Sequence, residues 1–256
     1  MGAPSRLAIT RGVPRSFAMA TVRVRPAEPI QVERAIAEHD AYVAALRSLG
    51  LEVVQIPPDE RHPDCCFVED CAVVHGGVAL VGRHGERTRR GEETPVLEVL
   101  ANHVRVESVK APATLEGGDC LRIGSRLYVG HGQRTNSAGI ARARAVFGPI
   151  GLEVIEVPMA GILHLKCVCS YLGGGKLLLA RGTIAPSKLG DVDAIIVDRD
   201  ETHAANCVAI GDVVLAPRDA PVTRRAVENA GFRVLPLDTT EIRKADGSLT
   251  CLSILL

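Results

Sequence analysis

Four short segments of the chain repeat one pattern: an apolar run, a turn that contains glycine, and a second apolar run. They span residues 71–82, 120–130, 168–180 and 207–216. Glycine-centred turns of two or three residues between apolar, β-branched runs are the strongest short-range signal for a β-hairpin. We therefore predict four antiparallel hairpins. Their recurrence along the chain indicates a repeat architecture.

Three of the hairpins lead into a clear helical pattern and then a single strand, and one leads into a weaker version of the same unit. The predicted helices are 92–103, 137–147, 184–190 and 220–230, and the strands after them are 104–109, 152–157, 194–198 and 232–237. Asn136 and Asp219 are predicted helix N-caps, and Gly151 and Gly231 are predicted C-cap glycines. The third unit has only a short helix.

The two ends of the chain supply a fifth unit. Residues 250–256 and the runs 7–10 and 19–24 would form its hairpin, followed by a helix at 32–49 and a strand at 51–56. An apolar end at Ile254, Leu255 and Leu256 needs a sheet to bury it. Five units closed by pairing of the termini predict an α/β ring forming one domain over residues 1–256. An open doubly wound sheet is disfavoured, since its strands would be parallel and no Gly-x-Gly-x-x-Gly follows a strand.

Composition limits the class of protein. Hydrophobic residues make up 46% of the chain and Trp is absent, so we expect an aliphatic core. The 30 basic and 30 acidic residues balance, which argues against nucleic acid or an anionic membrane as a partner. The first ten residues lack a signal-peptide core, and no apolar run has the length of a membrane span. Eight cysteines without a secretion signal suggest reduced thiols and a cytoplasmic location.

Polar residues interrupt the apolar pattern just before each hairpin. They include Asp64, Glu69, Asp70, Glu116, Asp119, His164, Asn206 and Cys251. In a closed ring these equivalent positions converge on one central site. Buried polar groups are costly without partners, and a shared pocket would provide them.

Each of these residues also has an ordinary structural interpretation. Most free cysteines are small buried apolar residues, and His164 between two leucines would suit a core. Glu116 could belong to a tight turn. His164, Cys167 and Cys169 could mimic a zinc site, but their spacing is not that of a finger, so we predict neither metal nor cofactor. The equivalent repeat positions favour a shared site.

A cysteine with a nearby histidine is suited to attack an electrophilic carbon. Several carboxylates around the pair imply a cationic electrophile, and a planar guanidinium, which binds carboxylates in a bidentate manner, fits best. Such a cation would also stabilise the thiolate of Cys251. The expected partner is a small molecule, and the sequence leaves a homodimer open.

Six motifs resemble those of the dimethylarginine dimethylaminohydrolases, over nearly the whole chain from Ala8 onward. They are DCCFVEDCAVV at 64–74, TLEGGD at 114–119, RTN at 134–136, LHLK at 163–166, AANC at 204–207 and DGSLTCLS at 246–253. The resemblance implies the pentein fold, a five-bladed α/β propeller of ββαβ units. It also implies conversion of N-omega-methylated L-arginine to L-citrulline and methylamine or dimethylamine.

The same resemblance implies residue roles. Cys251 would be the nucleophile, His164 would protonate the leaving amine and then activate water, and Glu116 would orient His164. The implied substrate-binding residues are Glu69 and Asp70 at the guanidinium, Asp64 at the ammonium, Arg134 and Arg89 at the carboxylate, the backbones of Val22 and Ala245, and Phe67. Mammalian members have Asp in place of Glu116 and Cys in place of Leu252.

Two other functions remain open from the sequence. One is a different guanidine-modifying enzyme of the same fold, an arginine deiminase or amidinotransferase, although these are usually longer. The other is a non-catalytic arginine-binding protein, against which the combination of Cys251, His164 and Glu116 argues.

Overall fold

The computed structural model describes residues 7–256, so the expectation about a signal sequence lies partly outside the described residues. The strands are β1 (Leu7–Arg11), β2 (Glu52–Ile56), β3 (Ala72–His75), β4 (Val78–Val81), β5 (Arg105–Ser108), β6 (Cys120–Ile123), β7 (Arg126–His131), β8 (Glu153–Pro158), β9 (Cys169–Gly173), β10 (Lys176–Ala180), β11 (Asp193–Val197), β12 (Val208–Ile210), β13 (Val213–Pro217), β14 (Arg233–Leu237) and β15 (Ile254–Leu255). The α-helices are α1 (Val32–Ser48), α2 (Glu93–Ala101), α3 (Ser137–Phe147), α4 (Pro221–Asn229) and α5 (Thr240–Lys244).

The described strands form five sheets of three strands each, and every sheet has the same plan. An antiparallel hairpin is joined by a third strand that runs parallel to the middle strand. The four predicted hairpins are confirmed. In the first of them, Gly76 and Gly77 both have positive φ, at 56° and 73°. That backbone matches the right-handed twist of the two strands and is accessible to glycine at little cost.

The fifth sheet joins the two ends of the described chain, as predicted. Strand β15 pairs antiparallel with β1, with Ile254 opposite Ile9, and β1 pairs parallel with β2. The rest of the predicted hairpin is wrong in detail. Residues 19–24 form no strand, and Thr250–Leu252 is a 3-10 turn that precedes a strand of only two residues. Cys251 therefore lies on a tight turn, which fixes its backbone without sheet pairing.

Four of the five predicted helices are confirmed, as α1, α2, α3 and α4. Asn136 caps α3, accepting a hydrogen bond from Gly139 N at 2.9 Å. Asp219 is not a cap; the backbone N–H groups of Val222 and Thr223 at the start of α4 donate instead to Glu201. The third unit has a 3-10 turn at Pro186–Leu189 in place of an α-helix, and α5 was not predicted. No helix among residues 7–256 combines the length and apolarity needed to cross a membrane.

The first strands of all five hairpins surround the centre of the molecule. One cavity is lined by residues of each of them, including Val73, Leu121, Tyr171, Ala209 and Ile254. Separate clusters of aliphatic side chains fill the space between neighbouring units. This geometry is a closed ring, so the segments that lead into the hairpins meet near its axis.

Candidate active site

Short 3-10 turns carry the candidate residues to the ring axis. They are Val68–Cys71, Gly117–Asp119, Leu165–Cys167 and Thr250–Leu252, each separated by at most one residue from a hairpin or the closing strand. Asp70 and Cys251 lie within their turns, whereas Glu116 and His164 are the residues immediately before theirs. The repeat thus delivers one group from each of four units to a common place.

Two glycines allow these turns to approach each other closely. A Cβ on Gly117 would lie 2.0 Å from the carbonyl oxygen of Glu69. A Cβ on Gly118 would lie 2.6 Å from Asp70 Oδ1 and 2.9 Å from the ring of His164. Such contacts are far below van der Waals distance, so the Gly-Gly of the TLEGGD motif is required for close packing rather than for turn formation alone.

His164 and Glu116 form the shortest contact between predicted catalytic residues. His164 Nε2 lies 2.7 Å from Glu116 Oε2, and both side chains are buried. Burial by itself lowers the pKa of His164. Three neighbours outweigh this effect and hold the pKa well above its usual value: Asp70, the thiol of Cys167, and Glu116. Asp70 Oδ1 lies 3.7 Å from Nδ1 of His164. The imidazolium is therefore the favoured form at neutral pH.

Asp70 connects His164 to a buried arginine. Arg89 Nη1 donates to Asp70 Oδ2 at 2.7 Å, and Gly118 N donates to Asp70 Oδ1 at 3.2 Å. Burial raises the pKa of Asp70, but His164 and Arg89 outweigh it, so the pKa lies below its ordinary value. The ionised carboxylate faces the same cavity as His164.

Cys251 is 7% exposed and shares that cavity. Burial, and then the negative charges of Asp70 and Glu69, raise the pKa of its thiol well above the usual value. The thiol is accordingly protonated while the cavity is empty. A cation beside Asp70 would reverse the local field and favour the thiolate.

The cavity is lined by acidic and basic groups as well as Phe67 and Ala245. Asp64 lines it and accepts hydrogen bonds from Thr21 N and Thr21 Oγ1 at 3.1 Å. Arg134 lines it as well. Its buried Nη1 lies 3.5 Å from Glu116 Oε2, without a well-oriented hydrogen bond to any of residues 7–256. An acid and an incompletely satisfied guanidinium in one cavity suit the two charged ends of an amino acid.

Glu69 faces the other side of the ring axis. Its carboxylate accepts hydrogen bonds from Lys166 Nζ and Thr250 Oγ1, both at 2.6 Å. Thr250 is held in turn by Asn206, through Nδ2 at 3.0 Å and Oδ1 at 2.9 Å. Glu69, Lys166 and Thr250 line the larger central cavity, which shares no lining residue with the cavity of Cys251. This group separates the two cavities.

We expect Lys166→Met to destabilise the protein by about 3 kcal/mol, because it leaves the Glu69 carboxylate buried with only Thr250 as a side-chain partner. Lys176→Met is the matched control, since its exposed pair with Asp193 should contribute less than about 1 kcal/mol. Urea unfolding of both variants measures the difference. Equal losses would mean that the Glu69–Lys166 pair has no special role in the centre of the ring.

Three expected substrate contacts differ in this geometry. Glu69 does not line the cavity of Cys251, since its oxygens are directed to Lys166 and Thr250. Arg89 lines the cavity, but its guanidinium already binds Asp70, Glu92 and the carbonyl of Phe67. Thr21, rather than Val22, contributes to the wall. The remaining predicted residues either line the cavity or, like Glu116, contact one that does.

Two groups in the described chain have the donor types and spacing of metal ligands: Asp70 with Glu116 and His164, and Cys71 with His84 and Glu92. In the first, His164 and Arg89 already balance the carboxylates. In the second, both oxygens of Glu92 accept from Arg89. The carboxylates of both groups are therefore already paired with cationic side chains.

Three further residues support the site. Asp119, which the sequence placed among the polar residues that converge, accepts from Leu165 N through Oδ1 at 3.1 Å and so fixes the backbone next to His164; burial raises the pKa of Asp119 to about 6. Lys166 belongs to the LHLK motif, but sequence reasoning gave it no role, because its partner Glu69 lies in another unit of the ring. Sequence reasoning missed His84, which had no signal because Glu116, beside it, lies in another unit.

Comparison with known proteins finds relatives that match most of this chain. A family model described as "N,N dimethylarginine dimethylhydrolase, eukaryotic" matches residues 17–209. An N(G),N(G)-dimethylarginine dimethylaminohydrolase of Pseudomonas aeruginosa is 34% identical over 223 residues, which cover 86% of this chain and 88% of the relative. The protein of the same name from Streptomyces coelicolor is 35% identical over 255 residues, covering 99% and 98%.

Solved structures match the fold closely. A cysteine-to-serine mutant of the Pseudomonas aeruginosa enzyme, complexed with citrulline, superposes with a TM-score of 0.96 at 31% identity, covering 99% of this chain and 100% of that chain. The N-terminal domain of ArgZ, a cyanobacterial arginine dihydrolase, superposes with a TM-score of 0.87 at 21% identity, covering 97% and 96%. The second likeness concerns the fold alone. The predicted five-bladed pentein fold is confirmed.

Proposed function

The chain belongs to the dimethylarginine dimethylaminohydrolase family, and we propose from this premise that it hydrolyses N-omega-methylated L-arginine to L-citrulline and methylamine or dimethylamine. The observation that carries the proposal is the single cavity lined by Cys251, His164 and Asp70 together with Asp64 and Arg134. One part of this set suits a guanidinium, and the other suits an α-amino acid.

In the proposed first step, the substrate guanidinium binds beside Asp70. Its positive charge favours loss of the Cys251 thiol proton to solvent, and Sγ attacks the guanidinium carbon. The C–N bond to the methylated amine then breaks as the amine takes a proton from His164. Nδ1 is the donor, because Nε2 is bound to Glu116. The product is a thiouronium on Cys251, with neutral amine released.

In the second step, water attacks the thiouronium carbon while neutral His164 accepts a proton from it. The C–S bond breaks as Cys251 leaves, the second proton of the water passes through solvent to the Cys251 thiolate, and the new C=O is the ureido group of citrulline. The proton gained restores the His164 imidazolium, which Asp70 and Glu116 stabilise. Each turnover therefore returns both residues to their starting states.

The direct test is an assay for citrulline and for the released amine, with asymmetric dimethylarginine, monomethylarginine and arginine as substrates. We expect citrulline from the methylated substrates in amounts equal to the amine. Faster release of ammonia from arginine would instead favour an arginine deiminase, and tight binding of arginine without any product would favour a binding protein.

We expect Arg134→Lys to raise KM more than it lowers kcat. Lysine keeps the charge but cannot form the bidentate fork that a guanidinium offers to a carboxylate. Loss of one charge-assisted hydrogen bond should weaken binding by about 1.5–3 kcal/mol. Steady-state kinetics with dimethylarginine measure the split. An unchanged KM with a lower kcat would remove Arg134 from the proposed carboxylate contact.

We further propose that the reaction takes place in the cytoplasm and that one chain forms a complete site. All eight cysteines are free thiols, which is consistent with a reducing compartment. Every side chain in the proposed mechanism comes from the same chain. Light scattering detects the homodimer that the sequence leaves open, and activity that is independent of protein concentration would support the single-chain site.

A further inference from the structure

The Glu116 carboxylate has two oxygens with different surroundings. Oε2 binds His164, whereas Oε1 accepts from Gly85 N at 2.9 Å and lies 3.5 Å from Nδ1 of a second histidine, His84. Glu116 is 0% exposed, so its orientation depends on these neighbours. A buried carboxylate that lacks donors on one side is free to rotate or to take up a proton.

His84 is buried and has a hydrogen-bonding contact at one of its two ring nitrogens. It is 1% exposed, and its Nε2 lies 3.7 Å from Cys71 Sγ. Within residues 7–256, its Nδ1 has no hydrogen-bond partner of good geometry, and Glu116 Oε1 lies 3.5 Å from it. Cys71 directly precedes β3 and His84 follows β4, so the first hairpin brings them together.

The contact with Cys71 determines which nitrogen of His84 carries the proton. Burial raises the pKa of the Cys71 thiol well above its usual value, so this thiol stays protonated and can donate to Nε2. A neutral imidazole that accepts at Nε2 carries its proton on Nδ1. In that tautomer the Nδ1 proton has Glu116 Oε1 within reach, at 3.5 Å from Nδ1.

We propose that His84 is a positioning residue for the general acid: its Nδ1–H holds Oε1 of Glu116, so that Oε2 is presented to His164. The inference rests on the proposed function and extends it to a residue that does not touch the substrate. In this arrangement Cys71 donates a hydrogen bond to His84, and His84 donates one to Glu116. His164 donates to the same carboxylate from the other side. Glu116 therefore remains an ionised acceptor between two imidazoles.

The charges around His164 determine the sign of the expected effect. It faces Asp70 at Nδ1 and Glu116 at Nε2, with Asp119, Cys167 and Cys251 nearby. Arg134 also approaches Glu116, and Glu92 lies 3.9 Å from His84 Nε2. Removal of the His84 donor leaves more of the Glu116 charge unbalanced, which stabilises the His164 imidazolium.

The test compares His84→Leu with His84→Asn, whose amide nitrogen takes nearly the same place as Nδ1. The pH titration of His164 is followed by NMR in histidine-labelled protein without substrate. The midpoint should lie roughly 0.5–1 pH unit higher in the leucine variant than in wild type, and it should lie closer to wild type in the asparagine variant. The signal of His164 is identified by its loss in His164→Gln. His39→Leu, which removes a buried histidine on α1, is the matched control.

Kinetics supply the second readout. His84→Leu should slow hydrolysis of dimethylarginine roughly tenfold, the size of one lost hydrogen bond in the transition state. It should affect S-methyl-L-thiocitrulline much less, because a thiolate leaving group needs no proton. An unchanged His164 titration, or equal losses on both substrates, would overturn the proposal. Failure of wild type to form citrulline would refute the proposed function instead and leave the titration result standing.

Discussion

We expect Cys251→Ser to abolish turnover of dimethylarginine while the protein still folds and still binds citrulline. Serine has nearly the size of cysteine and fits the turn at Thr250–Leu252. Its hydroxyl, however, is a poor nucleophile without a base dedicated to it, and His164 is held as an acid by Asp70 and Glu116. The loss in kcat should reach roughly 10⁴–10⁶-fold, as for removal of other enzymic nucleophiles.

The position of the nucleophile is checked by covalent labelling. Mass spectrometry after reaction with chloroacetamidine should place the adduct on Cys251, since the cationic probe can bind beside Asp70. Cys167→Ser is the matched control, because Cys167 lies close to His164 but outside the walls of the cavity. That variant should keep substantial activity and label normally. An adduct on Cys167 or Cys169 would move the reactive thiol elsewhere.

We expect His164→Gln to slow dimethylarginine hydrolysis by roughly 10²–10⁴-fold, the usual range for loss of a general acid–base group. Glutamine keeps a donor of similar size toward Glu116 but cannot transfer a proton. S-methyl-L-thiocitrulline should lose much less in the first step, since its leaving group departs without protonation. Equal losses on the two substrates would show that His164 does not act as the acid.

The pH dependence has a definite sign. The pKa of His164 is raised, so the proton that the leaving amine needs is present at neutral pH and is lost only as pH rises through that value. The wild-type rate should therefore fall at high pH, and this limb should vanish in His164→Gln. Titration of Cys251 would act in the opposite direction, because deprotonation creates the nucleophile. A rate that rises steadily with pH would assign the limiting titration to Cys251.

Much of the fold could be predicted because its determinants are local. Gly76 and Gly77 are adjacent glycines between two apolar runs, a pattern that favours a hairpin turn. Asn136 caps α3 through its own side chain. The pairing of β15 with β1 was predictable for a different reason, since an apolar chain end has few other ways to be buried. Asp219 shows the limit of local reasoning, because Glu201 from another segment caps α4 instead.

The site itself was predicted as a set of residues but not as a geometry. Glu69 and Asp70 are adjacent in sequence and equally acidic, yet a 3-10 turn directs them to opposite cavities. Nothing local distinguishes them, because the difference lies in Lys166 and Arg89, which come from other parts of the chain. His84 was unrecognisable for the same reason: its proposed role depends on Glu116, which comes from the next unit of the ring.

Closure of the ring through β15 has a consequence for biosynthesis. The backbones of Leu7 and Leu256 exchange hydrogen bonds at 3.5 and 2.9 Å. The sheet that contains β1 can therefore be completed only after the residues of β15 have been translated. Cys251 belongs to that late segment, so a nascent chain that lacks it has no nucleophile for the proposed reaction. Because Leu7 and Leu256 are adjacent, a linker that joins these two residues, with new ends at the turn of Gly173–Gly175, would suit circular permutation.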